Sequence, residues 1–311
     1  METSAQQALR LGVELLGAED PEDRATGCDL LGDAGNQHAE VRTEAATALV
    51  ALAGREQEGC VLARLARALE YLDDPRSIPV LAELSWHPDP EVRVMVPNSF
   101  TPLTGPEPDG VAVRTLIRLT RDEDDEVRNW AAFVLGFQLE VDSAEIRAAL
   151  WERTTDPYGE AREEGIRGLA RRHDLRAVPL VAELLHADEG AHWHTFAAAQ
   201  YLGVSELLPY LDEYEPDSFG VPEAVAACDP ALRERQDADA WELLHAVHRL
   251  CPEFDPVLYQ DRFEHGLKLG SGLPAATLRY STAALLERAG GDPQRAAELV
   301  AAELVAADWR T

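Results

Sequence analysis

DPEVRVMVPNSFTPLTG at residues 89–105 and DDEVRNWAAFVLGFQL at 124–139 open alike, with acidic residues, then Glu-Val-Arg, then apolar residues at helical spacing. A third copy, HAEVRTEAATALVALA, runs from His38 to Ala53. In it Val41, Ala45, Ala48, Leu49 and Leu52 recur at i, i+4, i+7, i+8 and i+11, which is one face of a helix. Val127, Ala131, Val134 and Leu135 do the same in the copy that starts at Asp124.

A second unit lies upstream of these helices: DPRSIPVLAEL at 74–84, DLRAVPLVAELL at 174–185, and an echo, SELLPYL, at 205–211. Pro79 and Pro179 are 100 residues apart, three times the period of about 33 residues expected of stacked helical hairpins. Each proline follows an Asp by a few residues, where the first helical turn has amides without intrahelical partners and a missing donor is tolerated. Arg93, Arg128 and Arg162 step by 35 and 34, so the frame continues through the weaker copy DPYGEAREEGIRGLARR at 156–172. Two markers therefore agree on one period.

The predicted fold is all-α, an α-solenoid of antiparallel helix pairs over 1–230. Helices are expected near 4–17, 21–34, 39–54 and 59–72. Pairs follow near 76–86 with 90–104, 110–120 with 125–138, 143–154 with 159–172, 175–186 with 190–203, and 205–214 with 221–228. After about residue 230 the frame weakens at Pro252, Pro256, Gly270, Gly272 and Pro274. Residues 231–311 are expected to form an irregular C-terminal helical cap continuing the stack, with helices near 274–289 and 293–307.

The 311 residues carry 28 Lys and Arg against 57 Asp and Glu, a formal charge of −29. Nucleic-acid binders draw affinity from Lys and Arg against phosphate, and here the basic residues are few and not segregated, so direct nucleic-acid binding is not expected. Hydrophobic residues make up 46%, enough for a core and too many for a disordered chain. The N-terminal METSAQQALRLGVELLGAEDPEDR does not read as a signal peptide. No apolar run reaches the roughly 18 residues that a membrane span needs, so a cytoplasmic protein without membrane contact is expected. Cys28, Cys60, Cys228 and Cys251 form no CxxC pair and suggest neither a disulfide framework nor a four-thiolate zinc site.

Ile78-Pro79, Asp89, Val92-Arg93 and again Val178-Pro179 with Asp188 resemble HEAT repeats, in particular the bacterial HEAT-like group that includes bilin-lyase-type repeats. The resemblance covers roughly residues 5 to 215. It implies a right-handed superhelix whose second helices line a concave surface. It also implies a structural ladder between neighbouring repeats, with Arg42, Arg93, Arg128 and Arg162 bonded to Asp89 and to Asp124 or Asp125. Two departures stand out. His192 replaces the expected Arg in the copy at 188, and Pro97 and Pro102 should kink or shorten the helix after Val92.

Chemical sites are sparse. The deoxyhypusine-hydroxylase type of HEAT protein requires His-Glu dipeptides, and none occurs. No GxSxG, GxxxxGK[ST], GxGxxG or HExxH motif is present, so an enzyme is the less favoured class and no cofactor is assigned. His245, His248 and Cys251 at i, i+3 and i+6 are the best zinc candidate, set against a structural role for the same residues. His192 and His194 flank Trp193, but alternate residues on a helix point to different faces. The recognition candidates are Asn129, Trp130, Phe133 and Phe137 on one second helix and Trp193, His194 and Phe196 on another. Alternatively, Phe133 and Phe137 fill the layer between repeats while Trp130 packs on an arginine.

The expected function is a non-enzymatic scaffold or adaptor that grips a protein partner on the concave face. The acidic charge reads in two ways: as a solvated surface that aids solubility, or as a field at 19–23, 121–126 and 212–217 that attracts a basic partner. The other class, implied by the bilin-lyase resemblance, is a lyase or chaperone-like protein acting on a cofactor or prosthetic group.

Overall fold

Short helices paired across tight turns follow from local cap chemistry. The computed structural model describes residues 3–103, 105, 107–187, 190–260, 265–270 and 277–306. Two compact units divide the chain, 1–180 and 181–311. In the first, α1 (Ser4–Leu15) starts at Thr3, which exchanges side-chain and backbone hydrogen bonds with Gln6 in a capping box, and α2 (Pro21–Gln37) starts at Asp20. The pair α3 (Arg42–Ala53) and α4 (Gly59–Glu70) comes next. Then α5 (Ser77–Leu84) pairs with a second helix split into α6 (Pro90–Arg93) and α7 (Val96–Ser99), where Pro97 opens the second piece. After α8 (Val111–Leu119), α9 (Asp125–Phe133) runs into a π-helical turn, Val134–Gln138. The last complete pair of this unit is α10 (Ala144–Arg153) with α11 (Gly159–Arg171), and the division between the units falls inside α12 (Val178–Leu185).

The two proline-bearing copies fold alike. Asp74 accepts from the Arg76 amide (3.0 Å) and Nε (2.9 Å), and Asp174 accepts from the Arg176 amide (3.2 Å) and Nε (2.9 Å). The 100-residue spacing thus joins two equivalent helix starts.

An arginine ladder ties successive second helices together. Arg24, Arg93 and Arg128 each lie four residues after the N-cap of a second helix: Asp20, Asp89 and Asp124. Each folds back onto two carbonyls of its own turn: Ala18 and Glu19 for Arg24, His87 and Pro88 for Arg93, Asp122 and Glu123 for Arg128. Each also crosses bidentately to a carboxylate of the next repeat. Arg24 reaches Glu56 (2.7 and 3.0 Å), Arg93 reaches Asp122 (2.9 and 2.7 Å), and Arg128 reaches Asp156 (2.8 and 3.0 Å). These acids stand two residues before the next N-cap and accept its amide: Glu58, Asp124 and Tyr158 respectively. One side chain therefore shapes its own turn and neutralises the neighbour's guanidinium.

The ladder differs in its members from the implied one. Asp89 caps α6 through the Glu91 amide, and exposed Asp125 accepts its neighbour's amide and makes no ion pair among the described residues, so the acids that pair are Asp122 and Asp156. Arg42 donates to the Gly35 carbonyl (3.1 Å) because its Glu-Val-Arg copy opens a first helix, α3. Its true counterpart is Arg24. Arg162 stands four residues after Tyr158 but is exposed, with no carboxylate partner among the described residues. Asp188 lies outside the described residues, as do Gly272 and Pro274. Besides the rung that Arg162 does not make, a second is missing among the described residues: Leu62 and His87 fill the slots of the joint that follows α4, and His87 Nδ1 accepts the Asp89 amide in the acid's place.

Burial raises the Glu56 carboxyl, but the Arg24 guanidinium, the largest influence, brings it down from 4.5 to about 2, helped by the Gln57 and Glu58 amides. A carboxylate held low in the folded state contributes fully above the unfolded value and loses that contribution as pH falls toward the folded one. The urea midpoint is accordingly expected to fall between about pH 4.5 and pH 2, and Glu56→Gln to flatten that fall while lowering the midpoint at pH 7. An unchanged pH profile in Glu56→Gln would refute this.

The second unit contains α13 (Trp193–Leu202), α14 (Leu208–Leu211), α15 (Val221–Cys228) and the long α16 (Pro230–Leu250). The C-terminal stretch then adds what the helical pattern did not announce. β1 (Val257–Gln260), β2 (His265–Gly270) and β3 (Thr277–Ser281) form an antiparallel sheet in the order β1-β2-β3, with Val257 opposite Lys268 and Leu267 opposite Tyr280. Leu267 and Leu269 are buried with exposed Lys268 between them, the period-two signature of a half-buried strand. Of the helix expected over 274–289, residues 274–276 lie outside the described residues, 277–281 form β3, and α17 spans Thr282–Arg288, before α18 (Pro293–Ala306). Leu243, Val247, Leu267, Leu285 and Val300 share one core here. Among the described residues no helix is long and apolar enough to cross a membrane.

Candidate functional site

The aromatic side chains of α9 are set by the way this helix ends. Gly136, in the π-helical turn, lies against Gly168 of α11; a Cβ on Gly168 would come within 2.8 Å of the Gly136 Cα. Only two glycines allow this approach. The widened turn leaves carbonyls without intrahelical partners, and buried Arg172 takes those of Leu135 (2.7 Å) and Gly136 (2.8 Å), along with that of Val141 (2.9 Å) in the segment after the turn. Burial pushes its guanidinium down from 12.5 to about 10.

On this support Trp130, Phe133 and Phe137 line up at i, i+3 and i+7. Trp130 meets Phe133 edge-on at 5.7 Å, and Phe133 stacks on Phe137 at 5.7 Å and 29°. The guanidinium of Arg167 sits 4.3 Å from the Phe137 ring centre and 5.6 Å from that of Phe133. Arg167 is itself buried and paired with buried Glu164. Both phenylalanines are half-buried between α9 and α11 while Trp130 stays 37% exposed, so the row joins a filled inter-repeat layer to an open indole. Beside it the Asn129 amide donates to Glu160 (3.4 Å), and its buried Oδ1 has no hydrogen-bond partner among the described residues.

In the other unit, Trp193 and His194 open α13 with ring centres 3.9 Å apart, and Trp193 is 48% exposed. Phe196 points into the core, edge-on to Tyr214 at 5.0 Å. His192, the N-cap of α13, makes no side-chain capping bond.

The zinc candidate comes apart. His245 and His248 lie on the exposed side of α16, whereas Cys251 ends the helix inside the core, where burial pushes its thiol up. A step of six residues carries the third group round the helix. No set of three His, Cys, Asp or Glu able to hold a metal ion occurs among the described residues. Several acids of the turns are already engaged: Asp20 and Asp124 as caps, Asp122 as a ladder acceptor.

Sequence reasoning missed Arg24, although DPEDR at 20–24 shares four of five residues with DPEVR at 89–93. It also missed Glu56, Asp122 and Asp156, for which the only signal is an acid two places before a cap.

Residues 112–203, which include the α9–α11 face, match the family model described as HEAT repeats. Protein YibA of Escherichia coli (strain K12) is 35% identical over 104 residues, 33% of this chain and 36% of YibA, so the match spans about a third of that relative. The crystal structure of YibA superposes with a TM-score of 0.58 at 24% identity, covering 71% of this chain and 81% of YibA; this shows a shared fold. The complex of CpcE and CpcF of phycocyanin lyase from Nostoc sp. PCC7120 aligns at a TM-score of 0.44 and 15% identity, over 70% of this chain and 92% of that one, too loosely to carry an argument.

Proposed function

We propose that this HEAT-repeat chain is a non-enzymatic scaffold that grips a protein partner with the face of its second helices, around Trp130. The observation that carries this is the row of Trp130, Phe133 and Phe137, braced from behind by Arg167. Rigid aromatic side chains lose little conformational entropy on binding, and exposed Trp is a frequent anchor at interfaces. The orphaned Oδ1 of Asn129 beside the indole offers an acceptor to a partner's donor. A charge of −29 favours a basic partner through faster, salt-sensitive association. Trp193 and His194 are a second candidate contact on the other unit.

The test is affinity purification of the tagged chain from its native host at low and then high salt, followed by titration of the partner recovered. Trp130→Ala is expected to weaken binding about tenfold or more. Its urea midpoint should move little, because the indole is partly exposed. Full retention of affinity in Trp130→Ala would sink the assignment of this face, and a partner held equally at high salt would remove the basic-partner reading.

A further inference from the structure

A groove of about 880 Å³ runs along α8, between that helix and the turns that follow α5 and α8. Four guanidinium groups border it, those of Arg93, Arg114, Arg118 and Arg121, against the carboxylates of Asp122, Glu123 and Glu145. Two of the four are committed: Arg93 to Asp122, and Arg121 to Glu152 at 2.6 and 2.8 Å. The other two make no ion pair among the described residues. Arg114 donates to the Asp109 carbonyl, and Arg118 donates to the Ser85 carbonyl (2.9 Å) and hydroxyl. The Arg118 guanidinium lies 3.7 Å from the ring centre of Trp86, which is 70% exposed. Ile117 supplies apolar surface between Arg114 and Arg118.

In a chain with twice as many acids as bases, this lining holds four arginines against three acids, and two of those arginines, a helical turn apart beside an open indole, make no ion pair among the described residues. Guanidinium is the side chain best matched to a carboxylate, with donors left over after one carbonyl contact. We infer that this groove binds an acidic peptide segment of a protein partner. Its carboxylates pair with Arg114 and Arg118, and an adjoining aromatic or aliphatic side chain covers Trp86 and Ile117. This site is separate from the α9–α11 face and does not depend on it. No residue is shared between them.

The test pans a random heptapeptide display library on the full chain and titrates the best enriched peptide by fluorescence anisotropy. The selected pool is expected to be richer in Asp and Glu than the input. Affinity should drop about tenfold or more in Arg118→Gln, drop several-fold in Trp86→Ala, and hold in Trp130→Ala. Trp86 is exposed, so its replacement keeps the question answerable if Arg118→Gln disturbs the fold. A pool no more acidic than the input, or unchanged affinity in Trp86→Ala, would overturn the inference. Release of the peptide by an equal concentration of inorganic phosphate would overturn it too, assigning the groove to a small anion.

Discussion

Asp156→Ala is expected to destabilise the N-terminal repeats by about 3 kcal/mol or more, whereas Asp125→Ala, three repeats' worth of sequence logic notwithstanding, should cost under about 0.5 kcal/mol. Asp156 is 4% exposed and holds Arg128 through two bonds, Arg153 through a third (3.0 Å) and the Tyr158 amide through a fourth. Burial alone would raise its pKa; Arg128 and the Tyr158 amide outweigh that and keep it low. Its removal leaves two guanidinium groups, each with little solvent access, facing an empty space. The penalty is therefore that of unpaired buried charge, far beyond the worth of one surface pair. Among the described residues Asp125 accepts a hydrogen bond from the amide of its neighbour and makes no ion pair. Urea melts of the two variants decide the matter, and equal losses would refute the ladder as drawn.

Gly168→Ala is expected to cost about 2–3 kcal/mol, a large effect for one methyl on a helix, where alanine ordinarily stabilises. The new Cβ would meet the Gly136 Cα at 2.8 Å and the two Leu150 methyls at 3.0 and 3.1 Å. Leucine methyls can turn aside. The Gly136 backbone cannot follow, because its carbonyl is held by Arg172 along with that of Leu135. Gly54→Ala, whose nearest neighbour would be 3.9 Å away, serves as the control and should stay within about 0.5 kcal/mol. A shift of α11 away from α9 would also displace Arg167 from Phe137. Weakened partner binding is thus expected alongside the lost stability, and full stability in Gly168→Ala would mean the two backbones are not in contact.

Helix pairing was legible because it is periodic and local: Glu-Val-Arg, Asp-x-x-x-x-Pro and the caps lie within single turns. The aromatic row was legible for the same reason, since i, i+3 and i+7 fall on one face. Ladder partners were harder, because Arg128 and Asp156 are 28 residues apart and the acid is chosen by backbone geometry two places before a cap. Arg42 misled because the same tripeptide can open a first helix as readily as a second. In HGLKLG the strand signal is six residues long and set among glycines, too short to displace a helical expectation. Trp86 and Arg118 meet only through folding, 32 residues apart, and nothing local in the sequence links them.

The rule that an arginine four places after one cap meets an acid two places before the next has a grammatical quality, and the joint at Leu62 and His87 is where the grammar changes. Between Arg93 and Asp156 every clause ends as it begins. Splicing out 94–128 would leave Arg93 facing Asp156, and duplicating the same stretch would add one more matched rung. Neither edit strands a buried charge. At the Leu62–His87 joint an inserted copy would bring an arginine to a slot that has no carboxylate waiting. Growth and shrinkage of this chain by whole repeats are therefore tolerated between Arg93 and Asp156 and resisted at that joint, which makes it a natural seam for recombination to respect and for engineers to cut beside.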